Sequence, residues 1–265
     1  MWLLLCSSQE VFLAVTSTMI IIAVIEWLNL LKHYDIKFIK NLLNNFTYIA
    51  ILFIICFFIT KYYWLNPFFV KQIMLVATCF WFVAVGAVIV CSKFYQLILR
   101  SNSYFNIICS YLSCFFTLIP SWLAINYMQV YNKNLLLLCC LIIMAADIGG
   151  YVVGKLFGKH TLTKISPKKT WEGLLGGYVS SMLVVTVYIM FNRFSVKYNY
   201  HLIIISSVTF IFAVIGDLFE SLLKRISGVK DSGNILPGHG GILDRLDSFC
   251  AGAPIFLMGV LLYKI

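Results

Sequence analysis

The stretch LIIISSVTFIFAVIGDLFESL, residues 202–222, decides what kind of fold the chain adopts. It is long enough to cross a bilayer, which takes roughly 20 apolar residues in helical form, yet it carries Asp217 and Glu220 close to its end. At about 3.6 residues per turn, Asp217, Glu220, Ser221 and Lys224 share one helix face, while Leu218, Phe219, Leu222 and Leu223 fall largely on the other. An acid at that depth is expensive in lipid and normally turns to the bundle interior, to water or to a cation. The segment therefore reads as a membrane helix with a polar stripe pointed at something.

Further apolar runs accompany it at 11–31, 46–60, 69–92, 107–128, 135–154, 173–192 and 246–263. Of 265 residues, 62% are apolar and only 11% charged, far from the balance of a soluble domain. The expected fold is all-α, a polytopic integral membrane bundle of about eight transmembrane helices. No fixed-period repeat and no Gly/Ser-rich or Pro-rich linker divides the chain, so 1–265 is read as a single membrane domain. Within it, 1–130 supplies N-terminal transmembrane helices and 131–265 a catalytic half. Glu10, Glu26 and Asp35 are the acids of the first part, whereas Asp147, Glu172, Asp217, Glu220, Asp231, Asp244 and Asp247 crowd into 147–247. The residues before the first run, MWLLLCSSQE, contain no Lys or Arg, and that run is too long for a signal-peptide core, so it is expected to stay as a span.

The cations test the division into spans, because short cytoplasmic loops carry the positive excess. Loops after odd-numbered spans hold fourteen Lys and Arg, among them Lys155, Lys159, Lys164, Lys168, Lys169, Lys224, Arg225, Lys230 and Arg245, against six on the other side. This bias predicts an even number of spans, both termini outside, and the loops 155–169 and 224–245 together on the cytoplasmic side. The net charge of +10 is spread over loops and forms no basic stripe, which argues against a nucleic-acid partner and for lipid headgroups or a phosphorylated substrate. The nine cysteines lie mainly in apolar runs without a C-x-x-C pair and read as core or lipid-facing fillers.

After span seven the chain enters KDSGNILPGHGGILDRLD, residues 230–247, where Gly and Pro break regular structure and let backbone approach a ligand. Asp244 and Asp247 are spaced i, i+3 as the last span begins; beside Asp217 and Asp231 they would repel one another without a cation. Hard carboxylate oxygens without clustered Cys or His favour Mg²⁺ over zinc. Interleaved Lys224, Arg225, Lys230 and Arg245 would meet phosphate oxygens. Carboxylates, metal and phosphate together point to phosphoryl or nucleotidyl transfer. Upstream, Asp147 sits beside Gly149 and Gly150, which permit close helix packing; it is either part of the same site or a buried polar residue satisfied by a neighbouring helix. In SPKKTWEG, residues 166–173, Ser166 and Pro167 read as the N-cap and first residue of a helix, with Lys168 and Lys169 placed to hold phosphate where backbone amides point; setting topology is their alternative role.

Ser221, Leu223, Lys224, Arg225, Lys230, Asp231, Gly233, Ile235 or Leu236, Pro237, His239, Gly240, Gly241, Asp244, Arg245 and Asp247 resemble, without departure, the signature of the phosphatidate cytidylyltransferases, or CDP-diacylglycerol synthases. The Asp147 region and SPKKTWEG are similar too, whereas the first 130 residues resemble that family only in being hydrophobic spans. The resemblance implies a polytopic enzyme of the bacterial cytoplasmic (inner) membrane, its site facing the cytoplasm. It would use Mg²⁺, with K⁺ as a candidate companion ion, to make CDP-diacylglycerol and pyrophosphate from CTP and phosphatidic acid. A homodimer is compatible with that family.

By the same analogy Asp217 and Asp244 are the main metal ligands, with Asp247 and Asp231 as further candidates for ligation or loop organisation. Lys224 and Arg245 are assigned to substrate phosphate. Ser166, Lys168, Lys169, Thr170, Ser221, Arg225, Lys230, His239 and Asp147 are the further substrate-binding candidates; for His239 a loop-organising role stands beside contact with the nucleotide. Trp171 and Glu172 are left outside the catalytic core, as an interfacial anchor and a helix-start residue, and Glu26 has no partner that sequence names. Two other functions stay in view. One is a CTP-dependent polyprenol or isoprenoid kinase, which would release CDP; the other is a transporter of a phosphorylated solute, which should show matching broken helices in two halves.

Overall fold

The computed structural model describes residues 8–31, 66–98, 104–192, 195–235 and 240–263. These form helices and connecting loops: α1 (Gln9–Leu31), α2 (Pro67–Ile98), α3 (Tyr104–Tyr131), α4 (Lys133–Phe157), α5 (Trp171–Asn192), α6 (Val196–Ile226) and α7 (Leu243–Tyr263). Each corresponds to an apolar run expected from the sequence, and the remaining one, 46–60, lies outside the described residues. Among the described residues, α1, α2, α4, α5, α6 and α7 are each long and apolar enough to cross a membrane, and the chain is an all-α integral membrane protein.

α3 buries Thr117, Ser121, Asn126 and Gln129 together with Leu118, Trp122 and Leu123, so this face of the helix is turned to protein. α1 is fastened to it by two polar contacts, Thr16 Oγ1 donating to Asn126 Oδ1 at 3.1 Å and Trp122 Nε1 donating to Ser17 Oγ at 3.2 Å. α7 packs along α3, α2 and α6. Trp81 of α2 meets Phe219 of α6 edge-on with ring centroids 5.7 Å apart, tying the first part of the chain to the end of the helix that carries Asp217.

The two most intimate helix pairs, α4–α5 and α6–α7, are built on small residues. A Cβ on Gly177 would stand 2.7 Å from the Ala146 carbonyl, one on Gly173 2.8 Å from the Gly150 carbonyl, and one on Gly216 2.5 Å from the Asp247 carbonyl. Backbones can approach this closely only where no side chain intervenes. Ser181 Oγ adds a hydrogen bond across the first seam to the Ile142 carbonyl at 3.0 Å. Gly149 and Gly150 thus do what the sequence suggested: they seat α5 against the part of α4 that bears Asp147.

Leu218, Phe219 and Leu222 are buried as well as Glu220, so the end of α6 is packed against protein on both its polar and its apolar face.

Candidate active site

A cavity of about 470 Å³ opens between the α4–α5 pair and the α6–α7 pair, lined by Asp147, Ser166, Lys168, Lys169, Thr170, Asp217, Asp244, Arg245 and Asp247. Its other wall is apolar, with Ala146, Leu162, Leu174, Phe210 and Val214. The loops 155–169 and 224–245, which the charge pattern put on one side of the membrane, do flank one cavity.

The α4–α5 connection reaches it as a hairpin. Leu162 N donates to the Lys169 carbonyl at 2.7 Å, Trp171 N to the His160 carbonyl at 3.0 Å, and Lys169 N closes a turn on the Ser166 carbonyl at 3.0 Å. Here the expected helix start at Ser166–Pro167 is overturned. Pro167 lies in the hairpin turn, α5 begins at Trp171, and its cap is Thr170, whose Oγ1 accepts from Gly173 N at 3.1 Å. The α5 amides offered to phosphate are also engaged, Trp171 N by His160 and Gly173 N by Thr170, so the lysine side chains of this segment carry whatever anion affinity it has. Glu172 accepts from the amides of Lys159 and His160 at 3.2 and 3.3 Å and pairs with His160 Nδ1 at 2.6 Å, bracing the base of the hairpin.

The hairpin delivers Lys169 to Asp217, with which it forms an ion pair, while Ser221 Oγ donates to the other Asp217 oxygen at 3.4 Å. Lys168 is exposed beside it. A second acid–lysine pair joins the cavity through Asp244 alone: Lys224 Nζ, which is not among the lining residues, lies 2.6 Å from Asp244 Oδ1 and 3.3 Å from Glu220 Oε2. Asp244 Oδ2 organises the loop, accepting from Ser232 N at 3.0 Å, Ser232 Oγ at 3.0 Å and Gly241 N at 2.8 Å. Asp147 is exposed to the cavity, with the Ser248 side chain on its carboxylate, and is not sealed between helices. Asp247 accepts from Ser248 N at 2.6 Å and faces the same space. The mutual repulsion expected of these acids is relieved in part by Lys169 and Lys224.

Other candidates fall away from the cavity. Asp231 and Lys230 are exposed outside it, and Arg225 lies behind it with Nη1 3.4 Å from the Val229 carbonyl. His239, with Leu236 and Pro237, lies outside the described residues. Glu26, which sequence left without a partner, is buried at 2% exposure against Ser232 and the start of α7. Its isolation as an acid inside a span was the signal for it; Ser232, which touches both Glu26 and Asp244, had no signal beyond its place in the loop.

Mg²⁺ commonly takes only one or two carboxylates and completes its shell with water and substrate phosphate. Among the described residues no three acidic, His or Cys side chains converge into a ready-made metal cage. Asp217 and Asp244 each hold a lysine ammonium against the carboxylate, so a cation there would share these oxygens with two lysines. Such a donor set suits an ion that brings most of its own ligands.

The chain is 44% identical over 126 residues to a phosphatidate cytidylyltransferase of Haemophilus influenzae, covering 46% of this chain and 44% of the relative. It is 42% identical over 151 residues to one of Staphylococcus saprophyticus (55% and 57%) and 41% identical over 144 residues to one of Bacillus subtilis (54% and 53%). The matched segments span about half the length of these curated relatives. The model of the cytidylyltransferase family, by contrast, matches residues 1–263, and on that match the chain belongs to the cytidylyltransferase family.

Proposed function

We propose that the protein transfers CMP from CTP to phosphatidic acid, giving CDP-diacylglycerol and pyrophosphate. The observation that carries this reading is the cavity itself, in which Lys169, Asp217, Asp244 and Arg245 line one space beside an apolar wall, with Lys224 paired to Asp244. Such a space suits a polyphosphate and the phosphate of a lipid at once.

The phosphate monoester of phosphatidic acid is anionic at neutral pH, so its oxygen attacks the α-phosphorus of CTP without a general base. A phosphorus–oxygen bond forms there as the bond to the β-phosphate oxygen breaks, and pyrophosphate leaves. The difficulty is bringing two polyanions together, and the residues act by positioning and charge. Asp217 and Asp244 would hold Mg²⁺, which supplies charge neutralisation at the transferring and leaving phosphates when bound. Lys169 and Lys224 would bind phosphate oxygens, together with Arg245 from the first turn of α7. Asp147 and Asp247 complete the acidic side of the cavity. The fourteen-to-six distribution of cations supports a site facing the cytoplasm, and the bacterial relatives support the inner membrane as its place.

The test is turnover of radiolabelled CTP by purified protein with phosphatidic acid, with and without Mg²⁺, for wild type and Asp244→Asn. Metal-dependent CDP-diacylglycerol and pyrophosphate, reduced at least about 100-fold in the variant, is the expected result. Release of CDP with a phosphorylated lipid would move the protein to the kinase reading, and no turnover by folded wild type would reopen transport.

A further inference from the structure

We propose that Glu26 is a positioning residue for this site: from the first helix of the chain it fixes the loop and helix start that carry Asp244. The proposal rests on the CTP-dependent reading above and adds to it a residue far outside the signature segment.

Glu26 is 2% exposed, and both its oxygens are in use. Oε1 accepts from Ile242 N at 3.1 Å; Oε2 accepts from Leu243 N at 2.8 Å and lies 3.1 Å from Ser232 Oγ. The amides at the start of α7, which no intrahelical carbonyl can reach, are thus taken by a carboxylate more than two hundred residues away in sequence. Ser232 Oγ is at the same time 3.0 Å from Asp244 Oδ2. A hydroxyl has one hydrogen to donate, so the setting of Ser232 couples the two carboxylates. The loop glycines close around the same group: a Cβ on Gly233 would stand 2.6 Å from Glu26 Oε1, and one on Gly241 would collide with both Ser232 and Glu26. Any side chain at either position would push the acid out.

A buried acid holding only a helix together could be anywhere along α1; this one sits two hydrogen bonds from Asp244. Its own helix is anchored independently, through Thr16 and Ser17 to α3, so docking of α1 and positioning of the loop can be separated by experiment.

The experiment compares full-length wild type with Glu26→Gln and with the double variant Thr16→Val/Ser17→Ala, measuring CTP turnover and amide hydrogen exchange over residues 240–247. Gln keeps the size of Glu26 but turns a donor NH₂ toward one of the amides. Glu26→Gln is expected to lower kcat about 10- to 100-fold, the range for residues that orient a metal-binding shell, with KM for CTP changed less than about twofold and exchange over 240–247 at least about tenfold faster. The α1–α3 variant is expected to match wild type in both readouts. Wild-type kcat and exchange in Glu26→Gln, or the same losses in the α1–α3 variant, would overturn the proposal. If Glu26→Gln fails to fold, Ser232→Ala takes its place: it removes only the shared hydroxyl, and unchanged exchange over 240–247 would overturn the proposal equally. Exchange is read without substrate. An inactive wild type whose loop is still selectively loosened by Glu26→Gln would sink the substrate assignment and leave the positioning role standing.

Discussion

Lys168 and Lys169 are adjacent and chemically identical, and from sequence either serves equally well as the phosphate-binding cation. The hairpin separates them: Lys169 is turned inward to Asp217, while Lys168 lies exposed at the rim. Loss of an inward charge that meets the reacting phosphates costs on the order of 100-fold in rate, whereas an exposed charge contributes ~0–1 kcal/mol, or within about fivefold. Lys169→Ala should therefore lower kcat/KM for CTP far more than Lys168→Ala does, and equal losses would disprove the assignment of Lys169 to the cavity. Lys224 offers a second contrast. It is the cation for both Asp244 and Glu220, and Glu220 is 3% exposed with Oε1 lacking a hydrogen-bond partner. Removing the ammonium leaves two uncompensated acids, which for buried pairs costs about 3–5 kcal/mol. Lys224→Met should depress the denaturant midpoint, and adding Glu220→Gln should recover part of the loss, because residues in one network are not additive. An additive double variant would mean that Lys224 and Glu220 do not interact. The chemistry of these residues was legible in the sequence, but their pairing was not, since spacing along one helix puts Lys224 near Glu220 and says nothing of Asp244 across a loop.

At the scale of elements, periodicity and run length marked every described helix, because a membrane helix must satisfy its own backbone and so announces itself as a long apolar run. The start of α5 was misplaced for a specific reason. Ser166–Pro167 and Thr170 both carry helix-start chemistry, and the choice between them is made by pairing of 160–162 with 169–171, a contact between chain segments that no local pattern encodes. The seam between α4 and α5 was half legible: Gly149 and Gly150 announced close packing, but the partners Gly173, Gly176 and Gly177 are set by the crossing geometry. That seam holds Asp147 and Thr170 at a fixed separation. Gly177→Val puts a branched side chain 2.7 Å from the Ala146 carbonyl at its first atom and must spread the helices. Overpacking of this kind costs about 1–3 kcal/mol, and the expected outcome is a lowered melting temperature with turnover falling further than stability alone accounts for. A variant as stable and active as wild type would show that α5 can move without disturbing the cavity.

For the whole molecule, the arrangement of helix ends makes orientation testable. The last turns of α6 and the starts of α5 and α7 converge on the cavity together with the Lys-rich hairpin, and Glu26 of α1 holds the start of α7. The turn between α3 and α4 at Asn132 is the length of α4 away from that hairpin, since α4 is an unbroken helix of 25 residues. At about 1.5 Å per residue such a helix spans the hydrocarbon core, so the two ends face opposite sides of the membrane. On the positive-inside bias we propose that the hairpin lies in the cytoplasm, where CTP and Mg²⁺ would be available to the proposed reaction. In a background with its native cysteines replaced, Lys133→Cys should react with a membrane-impermeant maleimide added to intact cells, and Lys164→Cys should react only after the membrane is opened. Labelling of both from outside would place the two ends of α4 on one side and remove it as a span. The reverse pattern would turn the cavity away from its nucleotide, and then the lysines around Asp217 and Asp244 would have to serve an anion that arrives from the other side.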